Sequence, residues 1–220
     1  MKKIVVDALP FPYECDLNKT AFIIIDMQRD FCYKGGFGES LGNDVTLTMK
    51  IIPIVEKVLN VMREHKVMII HTREGHDPSL KDCPPNKLKR FPSIGQNGPM
   101  GRILIRGEYG HDIVDELKPL PNEVIIDKPG KGAFYNTDLL EVLTKNGVTH
   151  LIFAGVTTHV CVQTTIREAN DRGFDCLLLD DASAAFDIND HLNSLHMINQ
   201  QNGIFGWTTS SQKLIEAINK

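Results

Sequence analysis

Five short apolar runs, each closed by a chemically useful or turn-forming residue, constrain this chain more than any other feature. They are "TAFIIID" (20–26), "VMIIHT" (67–72), "NEVIID" (122–127), "THLIFAG" (149–155) and "FDCLLLDDA" (174–182). Each is too short for a core helix and is rich in β-branched residues, so each reads as a strand buried on both faces. Between them lie stretches with apolar residues at helical spacing: 45–66, 137–147 and 159–173. Thr137 is placed to cap the second of these, and Gly147 and Gly173 to stop the second and third. Continuous apolar strands alternating with helices imply a mostly parallel sheet covered on both faces. The expected fold is therefore an α/β protein, a three-layer α/β/α sandwich of Rossmann-like type, over residues 1–220 as a single domain. A segment rich in Pro, Gly and charge, 73–112, interrupts the rhythm and reads as a lid over a site or a subunit interface. Within it "GRILIRG" (101–107) reads as an edge or extra strand.

Composition narrows the function classes. A net charge of −4 gives no phosphate-binding surface, so nucleic acid is not expected as a partner. No apolar run approaches a membrane span, and the first residues lack a secretory leader, so the expected location is the cytoplasm with no membrane partner. Five cysteines (Cys15, Cys32, Cys83, Cys161, Cys176) at irregular spacing, with no C-x-x-C, do not make a disulfide framework or a zinc site.

In open α/β sheets ligands bind beyond the carboxyl ends of the strands. The first strand ends at Asp26, the third at Asp127-Lys128, and the fourth leads into "GVTTHVCVQTT" (155–165) with Cys161 at a helix start. An acid, an amine and a thiol can thus converge on one sheet edge. That trio suits attack of a thiolate on a carbon–nitrogen bond: a helix N-terminus and an ammonium favour the thiolate, and a carboxylate shuttles its proton. Each residue also has a plainer reading. Asp26 can cap a turn, Lys128 and Lys131 can be solvated, and Cys161 can pack as a small core residue. A C-x5-R phosphatase loop, Cys161 to Arg167, requires a phosphate-wrapping loop where the pattern is helical. A partner-binding domain with an inert Cys161 is the non-enzymatic alternative.

Three motifs, "FIIIDMQRDF" (22–31), "KPGKGAF" (128–134) and "AGVTTHVCVQTTIREANDRGF" (154–174), together resemble the isochorismatase-like cysteine hydrolases over nearly the whole chain. The resemblance implies a catalytic triad of Asp26, Lys128 and Cys161, with Lys131 outside it. It also implies a cis peptide at Val156–Thr157 and an oxyanion held by the Thr157 and Cys161 amides. The cysteine points to an amidase. His71 and His76 do not form the D-x-H metal pattern of nicotinamidases, so no metal and no cofactor are expected. The middle segment looks most like the family's ureido-compound hydrolases, biuret hydrolase and ureidoacrylate amidohydrolase. The resemblance further implies Gln201, in "NQQNGIFGW" (199–207), as a substrate contact and Phe31 as an apolar wall. The function expected is release of ammonia from a small ureido compound, biuret ahead of ureidoacrylate, with a nicotinamidase-type amidase as a further alternative, by a homo-oligomer (dimer or tetramer).

Overall fold

The computed structural model describes residues 2–220. Its centre is a six-stranded sheet built from β1 (Thr20–Ile25), β2 (Met68–Glu74), β3 (Val124–Lys128), β4 (His150–Val156), β5 (Asp175–Ala184) and β6 (Trp207–Thr209). The spatial order is β6-β5-β4-β1-β2-β3, and every pairing is parallel. Side chains of β1 alternate between two cores, as the two-residue period of a strand requires. Phe22 and Ile24 join the cluster that α1 (Ile52–Glu64) and α5 (Ser211–Ile218) cover through Val55, Leu59, Met62, Leu214 and Ile218. Ala21, Ile23 and Ile25 face the other cluster. There α2 (Leu139–Lys145), α3 (Gln163–Asp171) and α4 (Ile188–Gly203) supply Leu143, Ile166 and Ile198. The three-layer α/β/α architecture is the one expected.

Several boundaries differ from the sequence reading, for identifiable reasons. The helix expected over 45–66 divides at Ile51 into Thr46–Lys50 and α1. Pro53 lacks an N–H and its ring crowds the carbonyl four residues earlier, so it starts a helix better than it continues one. Strand β2 runs to Glu74, two residues into the segment expected to be irregular. Of "GRILIRG", Gly101–Arg102 pairs in a two-residue ladder with Asn97–Gly98, and Ile105 makes a single parallel bridge to His76. Strand β6 and the antiparallel hairpin Lys3–Val6/Tyr13–Asp16 were not expected; at three and four residues they are too short to show a periodic pattern. All five cysteines are free and buried. Among the described residues no helix is long and apolar enough to cross a membrane.

One close approach sets the geometry at the carboxyl edge of the sheet. Gly155, at φ 109°, pairs with Ile25 so tightly that a Cβ there would lie 2.1 Å from the Ile25 carbonyl oxygen. Only glycine fits both the dihedral and the space. The ends of β1 and β4 are thereby drawn together immediately before Asp26 and the turn bearing Cys161.

Candidate active site

Four strand ends deliver four side chains to one point. Asp26 follows β1 with φ 47°, a left-handed conformation uncommon outside glycine and asparagine or aspartate. Its N–H donates to the Thr72 carbonyl oxygen at 3.2 Å, and Thr72 Oγ1 donates to Asp26 Oδ1 at 2.7 Å. Lys128, the last residue of β3, is fully buried with Nζ 2.8 Å from Asp26 Oδ2. Its ammonium also donates to the Gly130 carbonyl oxygen at 2.9 Å. Cys161 follows β4 by way of a cis Val156–Thr157 bond and a π-type turn, Thr158–Val162. The structure thus brings together Asp26, Lys128 and Cys161, as the sequence reading expected.

A fourth member was not anticipated. Glu74, at the end of β2, accepts a hydrogen bond from the Cys161 thiol at 3.3 Å through Oε2. Lys128 Nζ lies 3.6 Å from the same oxygen, and Lys87 donates to Oε1 at 2.6 Å. Lys87 comes from the helix Pro85–Arg90 of the middle segment and also donates to the Pro129 carbonyl oxygen at 3.0 Å. Lys131 is partly exposed and 3.9 Å from Glu74.

The electrostatics are set by this geometry. Burial alone would raise the Glu74 carboxyl, but Lys128, Lys87 and Lys131 outweigh it and hold its pKa at about 2. Burial raises Asp26 above the ordinary carboxylate range, and Lys128 only partly offsets it. Burial pulls the Lys128 ammonium down, but the Asp26, Cys161 and Glu74 charges overcome that and raise it. The Cys161 thiol is pushed well above the ordinary thiol range, chiefly by burial, with Lys128 opposing. This corrects the expectation of a resting thiolate at a helix start. The thiol sits in a buried turn beside two carboxylates, and one ammonium does not compensate for lost water. Alkylation of Cys161 by a neutral reagent should therefore still be accelerating with pH at pH 9. A rate that plateaus below pH 7 would show a thiolate at rest.

Above these groups opens a cavity of about 390 Å³ whose lining includes Glu74, Thr157, Cys161 and Lys131. Phe31 stands in its wall, edge-on to Phe37 at 5.8 Å, and Phe91 continues the aromatic surface 5.9 Å from Phe37. An apolar wall beside a few fixed polar groups is the form of a small-molecule site.

The family model described as the isochorismatase domain matches residues 20–213. The chain belongs to the isochorismatase family. Ureidoacrylate amidohydrolase RutB of Caulobacter segnis is 31% identical over 189 residues, which cover 82% of this chain and 78% of that protein. RutB of Yersinia enterocolitica is 29% identical over 192 residues, covering 82% and 81%. Among solved structures, a cysteine hydrolase from Pseudomonas syringae pv. phaseolicola superposes with a TM-score of 0.84 at 29% identity, over 100% of this chain and 99% of that one.

Two residues singled out in the sequence of this isochorismatase-family chain lie away from the cavity. Gln201 does not reach it. Helix α4 starts at the cavity rim, where Asp187 and Asp190 lie, and runs back across the sheet. Gln201 is at its far end, on the order of 15 Å along the axis from Asp190. It is exposed there with φ 51°, just ahead of β6. Arg167, the rival phosphatase arginine, stacks over Phe205 at 3.9 Å on the outer side of α3.

The histidines considered for metal binding are engaged elsewhere. His71 Nε2 lies 3.0 Å from Glu123 Oε2, and His76 Nδ1 lies 3.4 Å from Asp82 Oδ1. Among the described residues the one metal-compatible group is Asp26, Glu74 and Cys161, whose ligand atoms lie within 4.8 Å of one another. The Lys128 ammonium already supplies a cation to its two carboxylates.

Proposed function

We propose that this protein is a cysteine-dependent amidohydrolase of small ureido compounds, with ureidoacrylate-type substrates ahead of biuret. The observation that carries the chemistry is the buried charge balance. Two carboxylates, Asp26 and Glu74, face two buried ammoniums, Lys128 and Lys87, so the cluster is neutral while Cys161 keeps its proton. Losing that proton to solvent would leave an uncompensated buried charge, whereas passing it to Asp26 conserves the total. Asp26, with its raised pKa, is the competent acceptor; Glu74, held at about 2, is not.

As the Cys161 sulfur attacks the ureido carbonyl, its proton moves to Asp26. The Thr157 and Cys161 amides, both at the cavity floor, hold the oxyanion. Asp26 then protonates the departing ammonia. Water activated by Asp26 hydrolyses the acyl–sulfur bond. Lys128 stabilises the carboxylate between steps, and Phe31 packs against the substrate. The reaction takes place in the cytoplasm. The exposed Ile188 and Leu192, one turn apart on α4, support a homo-oligomer.

Two observations move the substrate reading from biuret to ureidoacrylate. Biuret was favoured through Gln201, which lies away from the cavity. Both RutB relatives are named for ureidoacrylate. An ammonia-release assay over ureidoacrylate, biuret, N-carbamoylsarcosine and nicotinamide tests it. Ureidoacrylate should be fastest, chelation should not change the rate, and Gln201→Ala should change kcat/KM by less than about threefold, as for an exposed residue off the site. Faster turnover of biuret with a loss of ten-fold or more in Gln201→Ala would put biuret first again.

A further inference from the structure

The proposed steps leave Glu74 without a task, although both its backbone and its carboxylate are firmly held. Gln28 clamps the backbone: Glu74 N–H donates to Gln28 Oε1 at 2.7 Å, and Gln28 Nε2 donates back to the Glu74 carbonyl oxygen at 3.0 Å. Gln28 also donates to the His111 carbonyl oxygen at 2.7 Å, so the clamp is tied to the middle segment. Lys87 occupies Oε1, which leaves Oε2 facing the cavity with the Cys161 thiol as its donor.

That donor cannot stay. Once Cys161 passes its proton to Asp26, Oε2 loses its one hydrogen-bond donor and keeps only the Lys128 ammonium at 3.6 Å, beside an electron-rich sulfur 3.3 Å away. The hydrogen-bond position that the thiol gives up is open to a new donor as its proton leaves. In a near-attack arrangement the substrate carbonyl carbon lies about 3–3.5 Å from the sulfur. With the carbon on the Glu74 side of the sulfur, the amide nitrogen, one bond away, comes within hydrogen-bond reach of Oε2.

We propose that Glu74 is the binding residue for the scissile amide: its Oε2 accepts the N–H of the nitrogen being expelled, and substrate binding displaces the Cys161 thiol from it toward Asp26. The low pKa that Lys128 and then Lys87 impose fits this use, because an acceptor must stay unprotonated throughout. Lys87 is thereby a positioning residue. The contact selects amides bearing an N–H over esters and over fully alkylated amides. A site built around a buried acceptor strongly rejects analogues that leave it unpaired. The inference rests on the ureido-hydrolase reading and adds the group that recognises the leaving nitrogen.

The test uses binding to the Cys161→Ala protein, which cannot turn over and leaves Oε2 free. Ureidoacrylate and its terminal N,N-dimethyl counterpart are titrated by calorimetry. The unmodified compound should bind about 10- to 100-fold more tightly, the scale of a hydrogen bond to a charged group. Adding Glu74→Gln should reduce that ratio to near one. Because Glu74→Gln leaves the Lys87 charge unbalanced, Glu74→Leu with Lys87→Met provides a second variant with neither the stranded ammonium nor any acceptor at this position, and the same collapse of the ratio is expected. A mainly structural Glu74 would weaken both ligands equally and keep the ratio, which overturns the inference alone. If neither ureidoacrylate nor biuret binds the Cys161→Ala protein, the ureido reading falls and the inference with it.

Discussion

Cys161→Ser is expected to lose at least about 10,000-fold in kcat/KM, the scale on which removing a nucleophile acts. The serine hydroxyl is the same shape less a fraction of an ångström and can still donate to Glu74 in place of the thiol. Its proton is held far more strongly than a thiol's, and a carboxylate such as Asp26 cannot take it efficiently even with burial raising its pKa. The fold should therefore be intact. Circular dichroism and the thermal midpoint should match the parent within a few degrees while ammonia release disappears. A purified, folded Cys161→Ser protein with parent-like turnover would sink the cysteine mechanism and leave the domain as a scaffold with an inert thiol.

The second large effect separates two lysines three residues apart. Lys128 is fully buried and 2.8 Å from Asp26, whereas Lys131 is 37% exposed and 3.9 Å from Glu74. Lys128→Met strands Asp26 and leaves Glu74 dependent on Lys87. Breaking a buried ion pair from one side costs about 3–5 kcal/mol of stability, so the thermal midpoint should drop clearly. Activity per folded molecule should fall about 100-fold or more, as for other electrostatic stabilisers in a dry site. Lys131→Ala removes a charge that solvent already screens, and its loss should stay below about tenfold with little change in midpoint. Equal effects of the two substitutions on folded protein would show that the amine at the reaction centre has been misassigned.

Asp26, Lys128 and Cys161 were legible because the end of an apolar run marks the end of a buried strand, and parallel topology places all such ends on one edge. Glu74 was missed by two residues. The run "VMIIHT" stops where charge begins, yet Ile70, Thr72 and Glu74 share one face at period two, and continuing that alternation would have carried the strand to the carboxylate. Lys87 gave no comparable signal. It reaches the site from an irregular segment whose path depends on tertiary contacts, and a lysine in "PPNKLKR" looks like any solvated lysine. Gln201 lies away from the cavity of this chain. Its motif is continuous with the rest of the resemblance, but continuity along a helix is distance in space, and α4 carries it toward the opposite edge of the sheet. The resting state of the thiol was misjudged because helix position is visible in sequence and burial of the surrounding turn is not.

Lys128 sits on β3, a border strand of the sheet, which pairs with β2 alone through residues Val124–Lys128. A strand with one neighbour needs the fewest broken ladder bonds to detach, and local openings cost less than global unfolding. The amine that balances Asp26 therefore comes from the sheet's margin, held there by its own buried ion pair, while Asp26 and Cys161 follow the interior strands β1 and β4. An opening confined to this border strand would withdraw the amine from Asp26 while the interior strands that position Asp26 and Cys161 stay paired.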